Sequence, residues 1–275
     1  MSSNLSFCQR LILCVLMRLY IIRHADPEYD GDTLTEHGQL EAQALAKRLA
    51  DDPQFALTKI YSSPMGRAKA TAEYTSKLLQ IPIEIEDWTK ELTHWRRISG
   101  HNSGRPGEGG FAMWDMAGEV VRGFVPRVND ESQWELVPDM MSVKKEYEEL
   151  IQQSDRFLAQ LGFERNGGRY RISKKQDRQQ QVAVFCHGGL GLTWLSHLLY
   201  LPLSLFWCGF WLAPSSVTTV LFEERTKDYA VPRCIGLGDI SHLYASGLRI
   251  PNSSYEKANS FYPFPRPSGI KSNFF

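Results

Sequence analysis

The sequence predicts an α/β fold: a mostly parallel central sheet with helices on both faces, forming a three-layer sandwich with an inserted cap segment. Three observations carry that prediction. Short apolar runs rich in β-branched and aromatic residues recur at 19–22, 57–61, 182–185 and 217–222. Stretches with the apolar spacing of helices lie between them. Several of the runs end abruptly in polar residues, as buried strands do where they empty into loops.

The elements follow in order along the chain. Leu19-Tyr20-Ile21-Ile22 is a buried strand stopped by Arg23-His24, and the stretch from Asp26 to Asp32 is rich in turn residues. Thr35 caps a helix in which Leu40, Ala44, Leu45, Ala46 and Leu49 keep helical spacing until Asp51-Asp52-Pro53. A second strand over 57–61 leads to Ser63-Pro64, with Pro64 at the first position of a helix that reaches Leu79. Residues 81–85 alternate around Pro82 and read as an edge strand. From about 100 to 139, Gly, Pro and isolated aromatics break all periodicity, the mark of a lid or insertion with small elements of its own. Helical spacing returns over 142–161, with Gly162 as its stop. A polar turn at 176–181, a strand at 182–185, a helix over 188–200 and strands at 217–222 and 233–237 complete the pattern.

With 275 residues and 43% hydrophobic content, the chain can bury one large core. The expected organisation is an N-terminal extension over 1–16 with little folding role, one domain over 17–255 with a cap insertion at about 100–139, and a Ser-, Asn- and Pro-rich tail over 256–275. The apolar run 11–17 is too short to span a bilayer. Lys plus Arg equals Asp plus Glu at 31 each, so no global field draws the protein to nucleic acid or anionic membrane, and an anion site must be local. Lys174, Lys175 and Arg178 read as a solvated loop. Five cysteines, odd in number and without metal-type spacing, point to a reducing, cytoplasmic setting, and no metal or other cofactor is expected.

In such a sheet the chemistry gathers where strands end. Three ends here carry it: Arg23-His24, then Ser62-Ser63-Pro64-Met65-Gly66-Arg67, then Cys186-His187-Gly188-Gly189. Two arginines and two histidines on one sheet edge would concentrate positive charge, and the helix starts after Ser63 and Gly188 would add backbone N–H donors for an anion. Gly188-Gly189-Leu190-Gly191 lacks the G-x-G-x-x-G spacing of a dinucleotide site, and the chain has no G-x-x-x-x-G-K-[ST], H-E-x-x-H or G-x-S-x-G. Cys186 reads as a buried free thiol.

Arg23-His24-Ala25, Leu34-Thr35-Glu36-His37-Gly38, Ser62-Ser63-Pro64-Met65-Gly66-Arg67-Ala68 with Thr71-Ala72-Glu73, and His187-Gly188 stand in one order. That ordered set resembles the histidine phosphatase superfamily, also called phosphoglycerate mutase-like, in its His-Gly branch, over roughly 17–99 and 140–240. The resemblance implies the phosphoglycerate mutase-like sandwich and metal-independent hydrolysis of a small phosphomonoester. In it, a neutral His24 attacks phosphorus to give a phosphohistidine, Arg23, Arg67 and His187 hold the oxygens beside Gly188, and Glu91 serves as the acid for the leaving oxygen. His94 and Arg96 follow Glu91 closely enough to touch a substrate.

The chain departs from the family in places. Ala25 stands for the usual glycine, Asp30 for an asparagine, and Thr93-His94-Trp95-Arg96-Arg97 replaces the usual pattern after the acid. An acid at Asp30 would repel a phosphate unless it points away. Two alternatives remain open at this point. Phosphoglycerate mutase-type transfer would call for a Trp-Asn after the first histidine and a Glu-Arg-x-Tyr-Gly at the acid, both missing. A non-catalytic phosphate-binding module would be expected to have lost a charged catalytic residue, and all five are present. Sugar phosphates, phosphoglycerates, nucleotides and phosphoproteins share the phosphate group, so substrate identity is open, as is oligomeric state. The cap offers Phe111, Met113 and Trp114 for apolar contact and Arg105, Arg122 and Arg127 for an acidic substrate.

Overall fold

Apolar side chains on both faces of a strand require cover on both sides, and Arg18–Arg23 (β1) has it. Leu19 and Ile21 join one core, with Phe157, Leu158 and Trp194, while Tyr20 and Ile22 join the other, with Leu45, Leu49 and Ala72. The computed structural model describes residues 16–92, 112–116, 118–124, 128–173 and 179–250. The expected extension, apart from Leu16, and the expected tail lie outside the described residues, as do Lys174, Lys175 and Arg178.

After β1 the chain makes a small ribbon, β2 (Pro27–Glu28) with β3 (Thr33–Leu34), and enters α1 (Glu36–Asp51). The Thr35 hydroxyl accepts from Gly38 N at 2.9 Å, so the expected cap forms. β4 (Lys59–Ser62), α2 (Gly66–Leu79) and β5 (Ile83–Ile85) follow. The second helix starts later than Ser63-Pro64 predicts: Met65 is its N-cap residue, without a side-chain cap. Ser63 and Gly66 make other contacts, described below, and the helix begins only at Gly66, after an extended Met65.

The insertion contains a 3-10 turn, Met113–Asp115, and two short helices, α3 (Gly118–Arg122) and α4 (Gln133–Leu136). A further 3-10 turn, Met140–Val143, leads into α5 (Lys144–Gln160). A hairpin follows that periodicity alone did not predict, β6 (Phe163–Asn166) and β7 (Arg169–Ile172). Its signal is the Gly167-Gly168 pair, with Gly167 at φ +61, between segments that alternate in burial. Then come β8 (Gln181–Cys186), buried at every position, α6 (Gly188–Leu199), the unpredicted α7 (Leu203–Gly209), β9 (Val217–Thr226), β10 (Tyr229–Asp239) and α8 (Ser241–Ala245).

Among the described residues the main sheet has eight strands in the order β5-β4-β8-β1-β9-β10-β7-β6. The expected parallel core is β5-β4-β8-β1. Beyond it, β9, β10, β7 and β6 pair antiparallel, which makes the whole sheet mixed. Helices α1 and α2 cover one face of the parallel half and α5 and α6 the other. No described helix is long and apolar enough to cross a membrane.

Candidate active site

Parallel registry brings together two histidines that lie 163 residues apart in sequence. Arg23 pairs with Cys186 in the β1–β8 ladder, so the next residue of each strand, His24 and His187, leaves the same sheet edge. Their ring centroids are 5.1 Å apart, at 60°. Ser62 pairs with Phe185 on the other side of β8, which delivers Ser63 to the same place.

His24 is 2% exposed and held from both ends of its ring. Nδ1 lies 2.8 Å from the Ala25 carbonyl oxygen, and Arg67 Nε approaches Nε2 at 3.2 Å. A carbonyl can only accept and a guanidinium only donate, so the proton sits on Nδ1 and the lone pair on Nε2. Burial, Arg23 and Arg67 hold the imidazole well below its ordinary range, against the pull of the Ala25 carbonyl, so the ring is neutral near pH 7. His187 is fully buried and is kept neutral by burial and by the charges of its neighbours.

Arg23 donates through Nη1 to the Leu212 carbonyl, while its Nε is buried and has no acceptor among the described residues. The backbone around it is clamped by the turn into β9: Arg23 N donates to Ser216 O at 3.2 Å and Ser215 N to His24 O at 3.1 Å. Ser215 adopts φ +55, a strained value for a residue with a side chain, which aims its N–H at that carbonyl. Ala25 N reaches Thr71 Oγ1 at 3.0 Å, tying the loop to α2.

Sequence reasoning missed Asp32. Its carboxylate takes Arg67 Nη1 at 2.6 Å through one oxygen and Gly66 N at 2.6 Å through the other. Those partners lower its pKa despite partial burial. Gly66 is required here: a Cβ would lie 2.0 Å from the Asp32 carbonyl oxygen. No local signal marks Asp32, because its place depends on how α2 docks. Asp30 is exposed, and its backbone N–H donates to Glu28 Oε1 within the same turn.

Glu91 sits at the start of α6. Its carboxylate accepts from Gly189 N at 3.2 Å, Leu190 N at 3.0 Å and Leu92 N at 3.1 Å. The expectation that both helix starts would offer their amides to a phosphate is corrected for three of them: Asp32 takes Gly66 N at the start of α2, and Glu91 takes Gly189 N and Leu190 N at the start of α6. Gly188 packs against Arg23, whose guanidinium carbon lies 3.4 Å from where a Cβ would be. The predicted contacts His94 and Arg96, with Arg105, Phe111 and Arg127, lie outside the described residues. From the insertion, Met113 is buried and Trp114 lies on Gly189, while Arg122 is exposed near Gly209. Cys186 is a buried free thiol whose pKa burial pushes far up; Cys208 and Cys234 are also free. Among the described residues, no three His, Cys, Asp or Glu side chains are grouped to hold a metal ion.

With this geometry in place, the comparison with known proteins has a direct reading. The family model described as histidine phosphatase superfamily (branch 1) matches residues 19–103, the stretch that carries Arg23, His24, Arg67 and Glu91. Over that stretch the chain resembles the histidine phosphatase superfamily. His187 lies beyond the matched stretch and reaches His24 through the sheet. A probable phosphatase of Schizosaccharomyces pombe is 33% identical over 81 residues, covering 26% of this chain and 28% of that protein. A probable phosphoglycerate mutase of Photorhabdus laumondii is 28% identical over 86 residues, covering 28% and 39%. The matched stretch thus spans well under half the length of these curated relatives.

Solved structures agree on the fold over far more of the chain. A structure titled mycobacterial hydrolase 2 aligns at TM-score 0.53 with 18% identity, over 88% of this chain and 96% of its own. Mycobacterial glucosyl-3-phosphoglycerate phosphatase aligns at 0.50 with 17% identity, over 80% and 98%. Phosphoserine phosphatase from Entamoeba histolytica, in complex with 3-phosphoglyceric acid, aligns at 0.50 with 18% identity, over 83% and 100%. At these identities the likeness is one of fold.

Proposed function

We propose that this chain hydrolyses small phosphomonoesters through a phosphohistidine on His24, without a metal. One observation carries the reading: beside the His24 Nε2 lone pair, Arg23 Nε and His187 Nδ1 are buried polar atoms with no hydrogen-bond partner among the described residues. Unsatisfied buried polar atoms are costly, and a phosphoryl oxygen satisfies donors in that place.

In the first step, His24 Nε2 forms a bond to phosphorus as the ester P–O bond breaks, and the leaving oxygen takes a proton from the Glu91 carboxyl group. In the second, the Glu91 carboxylate takes a proton from water as that water's oxygen attacks phosphorus. The N–P bond breaks, and inorganic phosphate leaves with His24 neutral again. Arg23, Arg67 and His187 hold the nonbridging oxygens, supplying the charge stabilisation on which phosphoryl transfer depends. The segment at about 100–139 acts as a cap within one domain over 17–255, with Trp114 on the first turn of α6. Small phosphorylated molecules, like the phosphoserine and glucosyl-3-phosphoglycerate named for two proteins of the same fold, are the first candidates. The free thiols Cys186, Cys208 and Cys234 support a cytoplasmic setting.

The test is phosphate release from para-nitrophenyl phosphate and a panel of natural esters that includes phosphoglycerates, which separates hydrolysis from mutase-type transfer. His24→Ala should lose about three orders of magnitude or more in kcat/KM, and EDTA should change nothing. Glu91→Gln should slow substrates with poor leaving groups far more than the activated ester. A fully active His24→Ala protein would overturn the reading.

A further inference from the structure

Ser63 is buried at the end of β4, and its hydroxyl has two neighbours. Met65 N donates to Oγ at 3.3 Å, and His187 Nε2 lies at 2.9 Å. Its backbone N–H donates to Phe185 O at 2.9 Å, which fixes the residue against β8. The Met65 amide can only donate, so Oγ accepts from it. The one hydroxyl hydrogen is then available for His187 Nε2. If Nε2 carried the ring proton instead, Oγ would accept twice, and its own hydrogen would be buried with no acceptor on any described residue.

We propose that Ser63 is a positioning residue that places the proton of neutral His187 on Nδ1, making this ring a hydrogen-bond donor toward the transferring phosphoryl group. The second observation is that His187 Nδ1 is itself buried and makes no hydrogen bond to any described residue. A protonated Nδ1 there is a donor awaiting an oxygen; an unprotonated one would turn a lone pair toward phosphate oxygens and repel them. The two histidines then present opposite faces to one ligand. His24, with its proton held by the Ala25 carbonyl, offers a lone pair to phosphorus, and His187, with its lone pair held by Ser63, offers an N–H to oxygen. The inference rests on the phosphatase reading above for the identity of the ligand but not for the position of the proton.

Histidine labelled with nitrogen-15 reports that proton directly, through two- and three-bond correlations that distinguish the two ring nitrogens, in the full chain without substrate. The wild type is expected to show His187 protonated at Nδ1. Ser63→Ala should shift it toward Nε2, and Ser63→Thr, which keeps the hydroxyl, should restore it. In parallel, Ser63→Ala should lower kcat/KM for para-nitrophenyl phosphate by about tenfold or more and weaken inhibition by inorganic phosphate, with Ser63→Thr recovering most of both. A wild-type spectrum with the proton on Nε2 overturns the proposal, as does an unchanged tautomer in Ser63→Ala. If Ser63→Ala does not fold, the wild-type and Ser63→Thr spectra decide. A fully active His24→Ala protein would sink the phosphatase reading while leaving the tautomer result standing, so the two failures are distinct.

Discussion

The two halves of the sheet divide the work. In the parallel half, β4, β8 and β1 run the same way, so their ends converge, and they deliver Ser63, His187, Arg23 and His24 to a single edge. In the antiparallel half, neighbouring strands alternate in direction, so no edge collects the ends of successive strands. Its contribution to the site is backbone: the turn into β9 supplies Leu212 O, Ser215 N and Ser216 O to hold Arg23 and His24. Its side chains build core instead, as in the packing of Phe222 against Phe163 and Tyr170 with ring centroids 4.8 and 5.4 Å away. Direction of pairing, more than composition, decides which half can carry chemistry.

The sharpest way to break this division is to exchange damage between the halves. Arg67→Ala, on the parallel side, should reduce kcat/KM for para-nitrophenyl phosphate by about a hundred- to a thousandfold, with a comparatively small change in melting temperature. Phe222→Ala should do the reverse. Deleting a fully buried ring costs about 3–5 kcal/mol, read by chemical denaturation, while the folded protein keeps kcat within about threefold. A Phe222→Ala protein that is stable but inactive would show that the antiparallel half acts on the site through more than backbone.

A smaller effect is expected where the cap meets the parallel half. A Cβ at residue 189 would fall 2.5 Å from the Trp114 ring, so Gly189→Ala must displace either Trp114 or the first turn of α6. Overpacking of this kind costs about 1–3 kcal/mol. If Trp114 moves, KM should change for bulky natural esters more than for para-nitrophenyl phosphate. Equal changes on both would place the displacement in α6 and Glu91.

The smallest contrast is in pH dependence. His242, on α8 after the antiparallel half, is buried against Ser215 Oγ at 3.0 Å, and burial and Arg48 lower its pKa to about 4. Above the unfolded value of about 6.5 both states are neutral and no stability is lost. As pH falls below that value the unfolded chain binds a proton that the folded one refuses, so stability falls until the folded pKa is reached. Near pH ~5.5 the loss from this residue is on the order of 1 kcal/mol. Thermal unfolding of His242→Gln between pH ~7 and ~5 should therefore slope less than the wild type. An identical slope would leave His24 and His187, also lowered, as the source of acid sensitivity.

Much of the candidate site was legible because it lies in short, chemically distinctive runs. Arg23-His24 and His187-Gly188 each end an apolar strand, and a strand that must be buried on both faces has to place its first polar residues at the edge. The alternation of apolar strands and helically spaced segments likewise determined the parallel core and the cap of α1 at Thr35. What only the tertiary structure decided are contacts made between elements. Asp32 reaches Arg67 because α2 docks on the loop before α1. Ser63 meets His187 because β8, laid down more than a hundred residues later, inserts between β4 and β1. At the helix starts that the sequence offered as anion sites, Asp32 takes Gly66 N and Glu91 takes Gly189 N and Leu190 N, since an unpaired N–H donates to whichever carboxylate the fold brings within reach. The sequence by itself determined which residues stand at the strand ends, through local hydrophobic patterning. Strand order and helix docking, set by long-range packing, decided which partners orient them.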